Sequence, residues 1–282
     1  MVISRNSRQI AVLLATYNGA RFLKEQLESL FRQSCDDFLL YVRDDGSTDD
    51  TLTIVEGFRQ KFPGRIVVVD GDEKHVGAAK SFMRLLQYVE SDYYMFCDQD
   101  DFWHATKIEK TIAHMRDVES RACCDKVCTT PVVVSTDLRV VDESRNVLRE
   151  SFNADLKIDV FRKHPQMLCV RHVVTGCAMM FNRAARDAAL PMSPFASMHD
   201  EWVALCTQFR GGKVSVLDEA TVDYRQHGSN TLGANSAMKD FTDRVASSDG
   251  RKSFFALARL LHKEFGVSFP RFLFYKLIYS WL

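Results

Sequence analysis

"IAVLLATYNGARFLKEQLESLFRQSCDDFLLYVRDD", residues 10 to 45, places an amphipathic stretch between two apolar runs. Ile10 to Ala15 and Phe38 to Val42 are continuously apolar rather than alternating, the pattern of strands covered on both faces of a parallel sheet. Between them Phe22, Leu23, Leu27, Leu30 and Phe31 fall on one helical stripe. The unit then repeats. "RIVVVD" from Arg65 and "YYMFC" from Tyr93 extend the series at intervals of about 27 residues, separated by the amphipathic "TDDTLTIVEGFRQKF" and "AAKSFMRLLQYVES". Ser47 or Thr48 is the N-cap candidate for the first of these, with acids in its first turn. Strand–helix–strand repetition of this kind predicts an α/β fold, a doubly wound sheet with right-handed crossovers.

Each apolar run leads into a polar cluster: Thr16-Tyr17-Asn18, Asp44-Asp45-Gly46-Ser47, Gly71-Asp72, and Asp98-Gln99-Asp100-Asp101. Ligands of open α/β sheets bind beyond the carboxyl ends of the strands, so four polar ends in succession point to one site. Three carboxylates within four positions repel one another unless a cation sits among them. In an extended segment Asp98 and Asp100 share a side and can grip one Mg²⁺ or Mn²⁺, ions that take oxygen ligands and substrate phosphates. Asp101 then faces elsewhere. Capping of a helix near Thr106 accounts for one of these acids and not for three. "RDDGSTDD" alone reads equally well as an ordinary strand-to-helix turn.

The second half is less regular. "PVVVSTDLRVVD" reads as a strand or hairpin, "GCAMMFNRAARDAAL" as a strand entering a helix, and "KVSVLDEATVDYRQHGSN" as two short strands and a loop. "SMHDEWVALCTQF" reads as a helix whose first turn carries His199, Asp200 and Glu201.

Composition narrows the function classes. The 282 residues hold 37 basic and 37 acidic side chains, which argues against a nucleic-acid partner held by bulk charge. GxGxxG does not follow the first strand and GxxxxGK[ST] occurs nowhere, which excludes dinucleotide dehydrogenases and P-loop enzymes. The eight cysteines show no CxxC pair and read as reduced, mostly buried thiols. "MVISRNSRQI" lacks a signal-peptide core and no apolar run reaches the ~18 residues of a spanning helix, so a cytoplasmic location is expected. "FPRFLFYKLIYSWL" either packs on the domain or lies on a membrane surface or partner.

"LLATYNGARFLKEQLESLFRQS", "VRDDGSTDDT", "VGAAKSF" and "CDQDDFW", in that order, resemble the family 2 glycosyltransferases over roughly residues 9 to 230. "CDQDDFW" with "HDEW" and "YRQHGSN" is most similar to the bacterial branch that includes rhamnosyltransferases of surface-polysaccharide assembly. The resemblance implies a GT-A fold, Rossmann-like with a mostly parallel sheet flanked by helices. It places the catalytic domain over residues 1–235 and a C-terminal helical extension over 236–282. It implies an inverting transfer from a UDP- or dTDP-sugar to a glycan or lipid-linked acceptor, on the inner membrane face.

Residue by residue, the resemblance assigns Thr16, Tyr17 and Asn18 to the nucleotide pocket and Asp45, or Asp44, to the pyrimidine ring. Asp98 and Asp100 become the D-x-D pair, with Gln99 between them, and Lys80 a donor-site residue. His75 stands where the family carries Asn. Asp200 is the expected base, with Glu201 the runner-up. His227 is a metal or diphosphate contact, and Arg225 a phosphate partner. Gly176 and His199 fall on the acceptor side, where Trp103 and Trp202 either wall a sugar ring or pack in the core. Two rivals remain. A nucleotidyltransferase needs a Gly-rich basic loop after the first strand, where "TYNGARF" stands. A flavodoxin-like Mg²⁺-binding signalling domain would be about half this length and would not need Asp200.

Overall fold

The computed structural model describes residues 10–69, 71, 73–122, 128–156, 158–171, 173–228 and 248–281. Strands β1 (Ile10–Thr16), β2 (Phe38–Asp44), β3 (Ile66–Val68) and β4 (Tyr93–Cys97) run parallel in the order β3-β2-β1-β4. Val12, Leu13, Leu14, Leu40, Val42, Met95 and Phe96 are wholly buried, as continuous apolarity requires of strands covered on both faces. Helices α1 (Ala20–Leu30), α2 (Thr51–Lys61) and α3 (Ala78–Tyr88) make the crossovers. Register brings Thr16 beside Asp44 and Leu14 beside Cys97. Three polar clusters therefore leave the sheet at one edge.

Beyond β4 the sheet is mixed, and the doubly wound pattern ends there. β8 (Met179–Asn182) lies antiparallel to β4, and β6 (Val132–Val141) antiparallel to β8. β9 (Lys213–Arg225) joins β6 in parallel, and the two-residue β5 (Phe102–Trp103) closes the far edge against β9. β7 (Val147–Arg149) folds back on β6. Where the sequence suggests two short strands there is one 13-residue strand, β9, whose pairing slips opposite Thr136 to Leu138 around the polar Asp218-Glu219. The expected N-cap also moves. α2 begins at Thr51, whose amide donates to Asp49 Oδ1 at 3.0 Å, while Ser47 serves the preceding turn.

Helices α4 (Lys107–Ala122), α5 (Ile158–Lys163), α6 (Arg183–Ala189) and α7 (His199–Phe209) cover the sheet, followed by α8 (Ser248–Phe265) and α9 (Phe269–Trp281). The last two share the domain's core. Phe265 stacks on Phe209 of α7 at 4.5 Å, Leu261 and Phe272 are fully buried, and Glu264 accepts from Ser193 at 2.6 Å. Among the described residues no helix is long and apolar enough to cross a membrane. Cys97, Cys169, Cys177 and Cys206 are buried free thiols and Cys35 a half-buried one. Cys128 is disulfide-bonded, which departs from the expectation of fully reduced cysteines. The rest of "CCDKVC" lies outside the described residues.

Candidate active site

The first two strand ends are stitched together before any ligand is considered. Asp44 accepts from Thr16 Oγ1 at 2.8 Å, from the amides of Gly46 and Ser47 at 3.0 and 2.7 Å, and from Ser47 Oγ at 2.5 Å. Its carboxylate therefore builds the turn, so Asp44 is occupied within the protein rather than presented to a base. Asn18, at φ +46°, bridges the same turn by accepting from the Thr48 amide at 2.8 Å. Tyr17 is half exposed, and its backbone is held by Gln99, which accepts from its N–H at 2.9 Å and donates to its carbonyl at 3.0 Å. A Cβ at Gly19 would stand 2.2 Å from Gln99 Oε1, so a side chain there would push Gln99 out of this clamp. Gln99 thus fixes the Tyr17 ring by clamping its main chain.

Asp45 organises the opposite wall. One carboxylate oxygen accepts from Arg43 Nη1 at 2.9 Å and the Val76 amide at 3.0 Å, the other from the Gly77 amide at 2.8 Å. Burial alone would raise its pKa, but the N–H groups of Val76 and Gly77 and the Arg43 guanidinium outweigh it and hold it below the usual carboxylate range. His75, in the same loop, adopts φ +58° and sets its ring edge-on to Tyr17 at 5.4 Å. That left-handed conformation suits Asn better than most residues, which explains Asn as the family residue. Lys80 stands exposed on α3.

Arg43 and Asp45 are 2% and 5% exposed, so cutting the pair strands a buried charge. Arg43→Met should destabilise the fold by about 3–5 kcal/mol, measured by urea unfolding. Because Asp45 titrates lower when folded, its contribution is present above the unfolded value of about 3.9 and lost as pH falls through the folded one. The gap between wild type and Arg43→Met should accordingly narrow below about pH 4.

The acids after β4 separate into two groups. Gln99 and Asp100 form a bend after β4, so strand alternation does not by itself set which of these acids share a side. Asp98, Asp101 and Cys177 instead have candidate ligand atoms within 4.8 Å of one another. Asp100 turns to His227, Oδ2 to Nε2 at 2.8 Å, and the His227 ring packs 4.8 Å from Phe22. No hydrogen bond reaches the Asp98 carboxylate among the described residues. Burial, then repulsion from Asp101, Asp100 and Asp200, pushes its pKa well above the ordinary value. Carboxylates concentrated so that they resist ionising fit a divalent cation, which removes that cost and prefers these oxygens.

Arg225 corrects the phosphate assignment. It is buried, with Nε donating to the Asp100 carbonyl at 2.8 Å, Nη2 to Glu25 at 2.7 Å and Nη1 to the Glu143 carbonyl. Its backbone amide also donates to Asp101 at 3.2 Å. The side chain is a bolt that positions the acidic turn. Asp101 is correspondingly buried, and it secures the end of β9.

On the other side, α7 delivers Asp200. Its Oδ2 accepts from the Gly176 amide at 3.0 Å and its Oδ1 from the Glu201 amide at 2.8 Å. Gly176 opens the 3-10 turn Gly176–Ala178, whose next residue is the Cys177 beside Asp98 and Asp101. This turn joins the two halves of the site. A Cβ at 176 would come within 3.1 Å of His199 Nε2 and 3.5 Å of Asp200. Glu201 lines a recess with Leu168, Arg171 and Val174. His199 is buried and stacks on Phe82 at 4.2 Å. Trp103 and Trp202 are 1% and 2% exposed, and Trp202 donates to the Ala189 carbonyl. Both belong to the core and wall no sugar.

Sequence reasoning missed Arg43, Glu25, Glu143, Cys177 and Lys107. Lys107 is fully buried over the Trp103 ring at 4.7 Å, with its pKa lowered by burial to about 8. A basic residue inside an apolar strand, as in "FLLYVRD", was the one available signal for Arg43. Glu25, Glu143 and Cys177 are set by contacts across more than 70 positions, and Lys107 by burial against Trp103, one helical turn away.

Comparisons agree with this geometry. The profile of "Glycosyl transferase family 2" matches residues 11–188. A Shigella flexneri protein described as "dTDP-rhamnosyl transferase RfbG" is 29% identical over 236 residues, 80% of this chain and 75% of that protein. An uncharacterized glycosyltransferase, alr2836, from Nostoc is 23% identical over 82% of this chain and 69% of that protein. Among solved structures, residues 1–349 of S. aureus TarS with UDP-GlcNAc superpose at TM-score 0.59 and 19% identity, covering 92% of this chain and 73% of that one. The Pyrobaculum calidifontis mannosyltransferase PcManGT with GDP-Man and Mn²⁺ superposes at TM-score 0.59 and 15% identity, covering 95% and 74%. With the profile covering well over half of the chain and a GT-A architecture around the acidic edge, the chain belongs to glycosyltransferase family 2.

Proposed function

We propose that the protein transfers a sugar, with inversion, from a dTDP- or UDP-linked donor to a glycan or lipid-linked acceptor of a surface polysaccharide. The observation that supports this most directly is the meeting of Asp98, Asp100 and His227 with Asp200 across the Gly176–Cys177 turn. A bound Mg²⁺ or Mn²⁺ would supply charge neutralisation for the departing diphosphate. Asp100 and His227 would hold it, with Asp98 beside them.

The chain's own groups cover the remaining needs. The edge formed by Thr16, Tyr17 and the Asp45-held loop receives the nucleoside, with the half-exposed Tyr17 ring available for stacking. Asp200 takes the proton from the acceptor hydroxyl as that oxygen bonds to the anomeric carbon, and the carbon–oxygen bond to the diphosphate breaks with its electron pair leaving on phosphate. Two backbone N–H groups orient this carboxylate. In-line displacement by a single base inverts the anomeric centre. The similarity to RfbG, described as a dTDP-rhamnosyl transferase, makes dTDP-rhamnose the first donor to try.

Calorimetric titration with dTDP- and UDP-sugars, with and without Mn²⁺, tests the reading. One donor should bind with micromolar affinity only when metal is present. If no nucleotide sugar binds under any metal condition, the transferase reading is wrong.

A further inference from the structure

The C-terminal helices bury one side in the domain and leave the other side apolar. In α9, Phe272, Tyr275 and Tyr279 are buried, while Phe269, Leu273, Phe274 and Leu277 are 36–60% exposed. At about 100° per residue the four exposed side chains span an arc of roughly 140°. Arg271 and Lys276 fall at its two borders. Phe255 of α8, 60% exposed, stacks on Phe269 with ring centroids 6.4 Å apart, so the patch continues across both helices. Lys252 and Arg259, exposed one helical turn either side of Phe255, carry the basic border along α8.

Charge follows the same division. Residues 248–282 contain six Lys and Arg against two Asp and Glu, whereas the rest of the chain holds 31 basic and 35 acidic side chains. From Phe265 onward there is no acid at all. A protein partner would need only the apolar arc. An arc edged by cations on a net-positive segment, in an otherwise net-negative chain, matches an anionic bilayer, where aromatics enter the acyl boundary and Lys and Arg meet headgroups.

We propose that the exposed face of α8 and α9 is a docking surface for an anionic phospholipid bilayer, on which the chain lies without spanning it. The surface is tied to the candidate site through α7. Phe265 packs on Trp202 and Phe209, in the helix whose first turn holds Asp200. Neither the docking nor its test depends on the catalytic reading.

The test is co-sedimentation of the full chain, without donor, with phosphatidylglycerol/phosphatidylcholine vesicles and with phosphatidylcholine vesicles alone. The wild type should partition at least about tenfold more strongly onto the anionic vesicles, with the difference shrinking in high salt. Phe274→Ser with Leu277→Ser should lower binding about tenfold or more with an unchanged circular dichroism spectrum, both side chains being solvent-exposed in the free protein. Lys252→Gln with Arg259→Gln should reduce the anionic preference and leave the weak binding to neutral vesicles. Equal partition onto both vesicle types, or a serine variant that binds as wild type does, would overturn the proposal. So would a concentration-dependent dimer abolished by the same serines, since a second copy would then be the occupant.

Discussion

Asp200→Asn should lower kcat by about 10²–10⁴-fold while leaving the donor dissociation constant within a factor of two or three. Asparagine keeps the shape and one acceptor oxygen, but it cannot take the acceptor proton. On the proposed reading the donor would lie at the strand ends, to which Asp200 is linked through the Gly176–Cys177 turn. Glu201→Gln is the paired control. Glu201 lines a recess with Leu168, Arg171 and Val174 and not the acidic turn, so turnover should change less than threefold. Single-turnover transfer and calorimetric donor binding, measured on both variants, separate the outcomes. Near-wild-type transfer by Asp200→Asn would move the base elsewhere. Weakened donor binding in that variant would mean that Asp200 supports the pocket rather than the chemistry.

Removal of the divalent ion should be nearly as damaging. Chelation is expected to depress turnover by about 10²–10³-fold, with recovery on adding Mn²⁺ or Mg²⁺. Asp100→Ala and His227→Ala should each weaken Mn²⁺ binding, read by the paramagnetic signal of free ion, by about tenfold or more. Asp101→Asn should chiefly cost stability, because that carboxyl is buried against the Arg225 amide. If Asp101→Asn releases Mn²⁺ while Asp100→Ala does not, the ion sits in the Asp98–Asp101–Cys177 group instead.

Much of the frame could be read from the chain before its structure. Continuous apolar runs become strands when both faces are covered, and the helical stripe of Phe22, Leu23, Leu27 and Leu30 does face the core. The strand-end acids were visible for the same reason, since a polar group at the end of a buried strand has few places to be but the edge. Individual roles were harder. Asp44 and Asp45 are neighbours of identical type, yet one is consumed by its own turn and the other by a loop 31 positions away. Arg225 looks like a phosphate ligand in sequence because its type suits phosphate, and only the structure shows its donors directed to Glu25, Glu143 and Asp100. The D-x-D spacing alone did not show that Asp100 pairs with His227 while Asp98 neighbours Asp101 and Cys177.

The Arg225 bolt also bears on when the protein becomes competent. Its side chain joins residues 25, 100 and 143, so the acidic turn is tied down by the final residue of the sheet's last strand. During synthesis the four parallel strands emerge within the first hundred residues and can pair early, as N-terminal units do. The proposed cation seat is completed only once β9 has left the ribosome and taken its place between β6 and β5. On the proposed reading a nascent chain would hold its nucleotide edge long before it could spend an activated sugar, and ribosome-stalled chains ending short of residue 225 should be folded in part and inert.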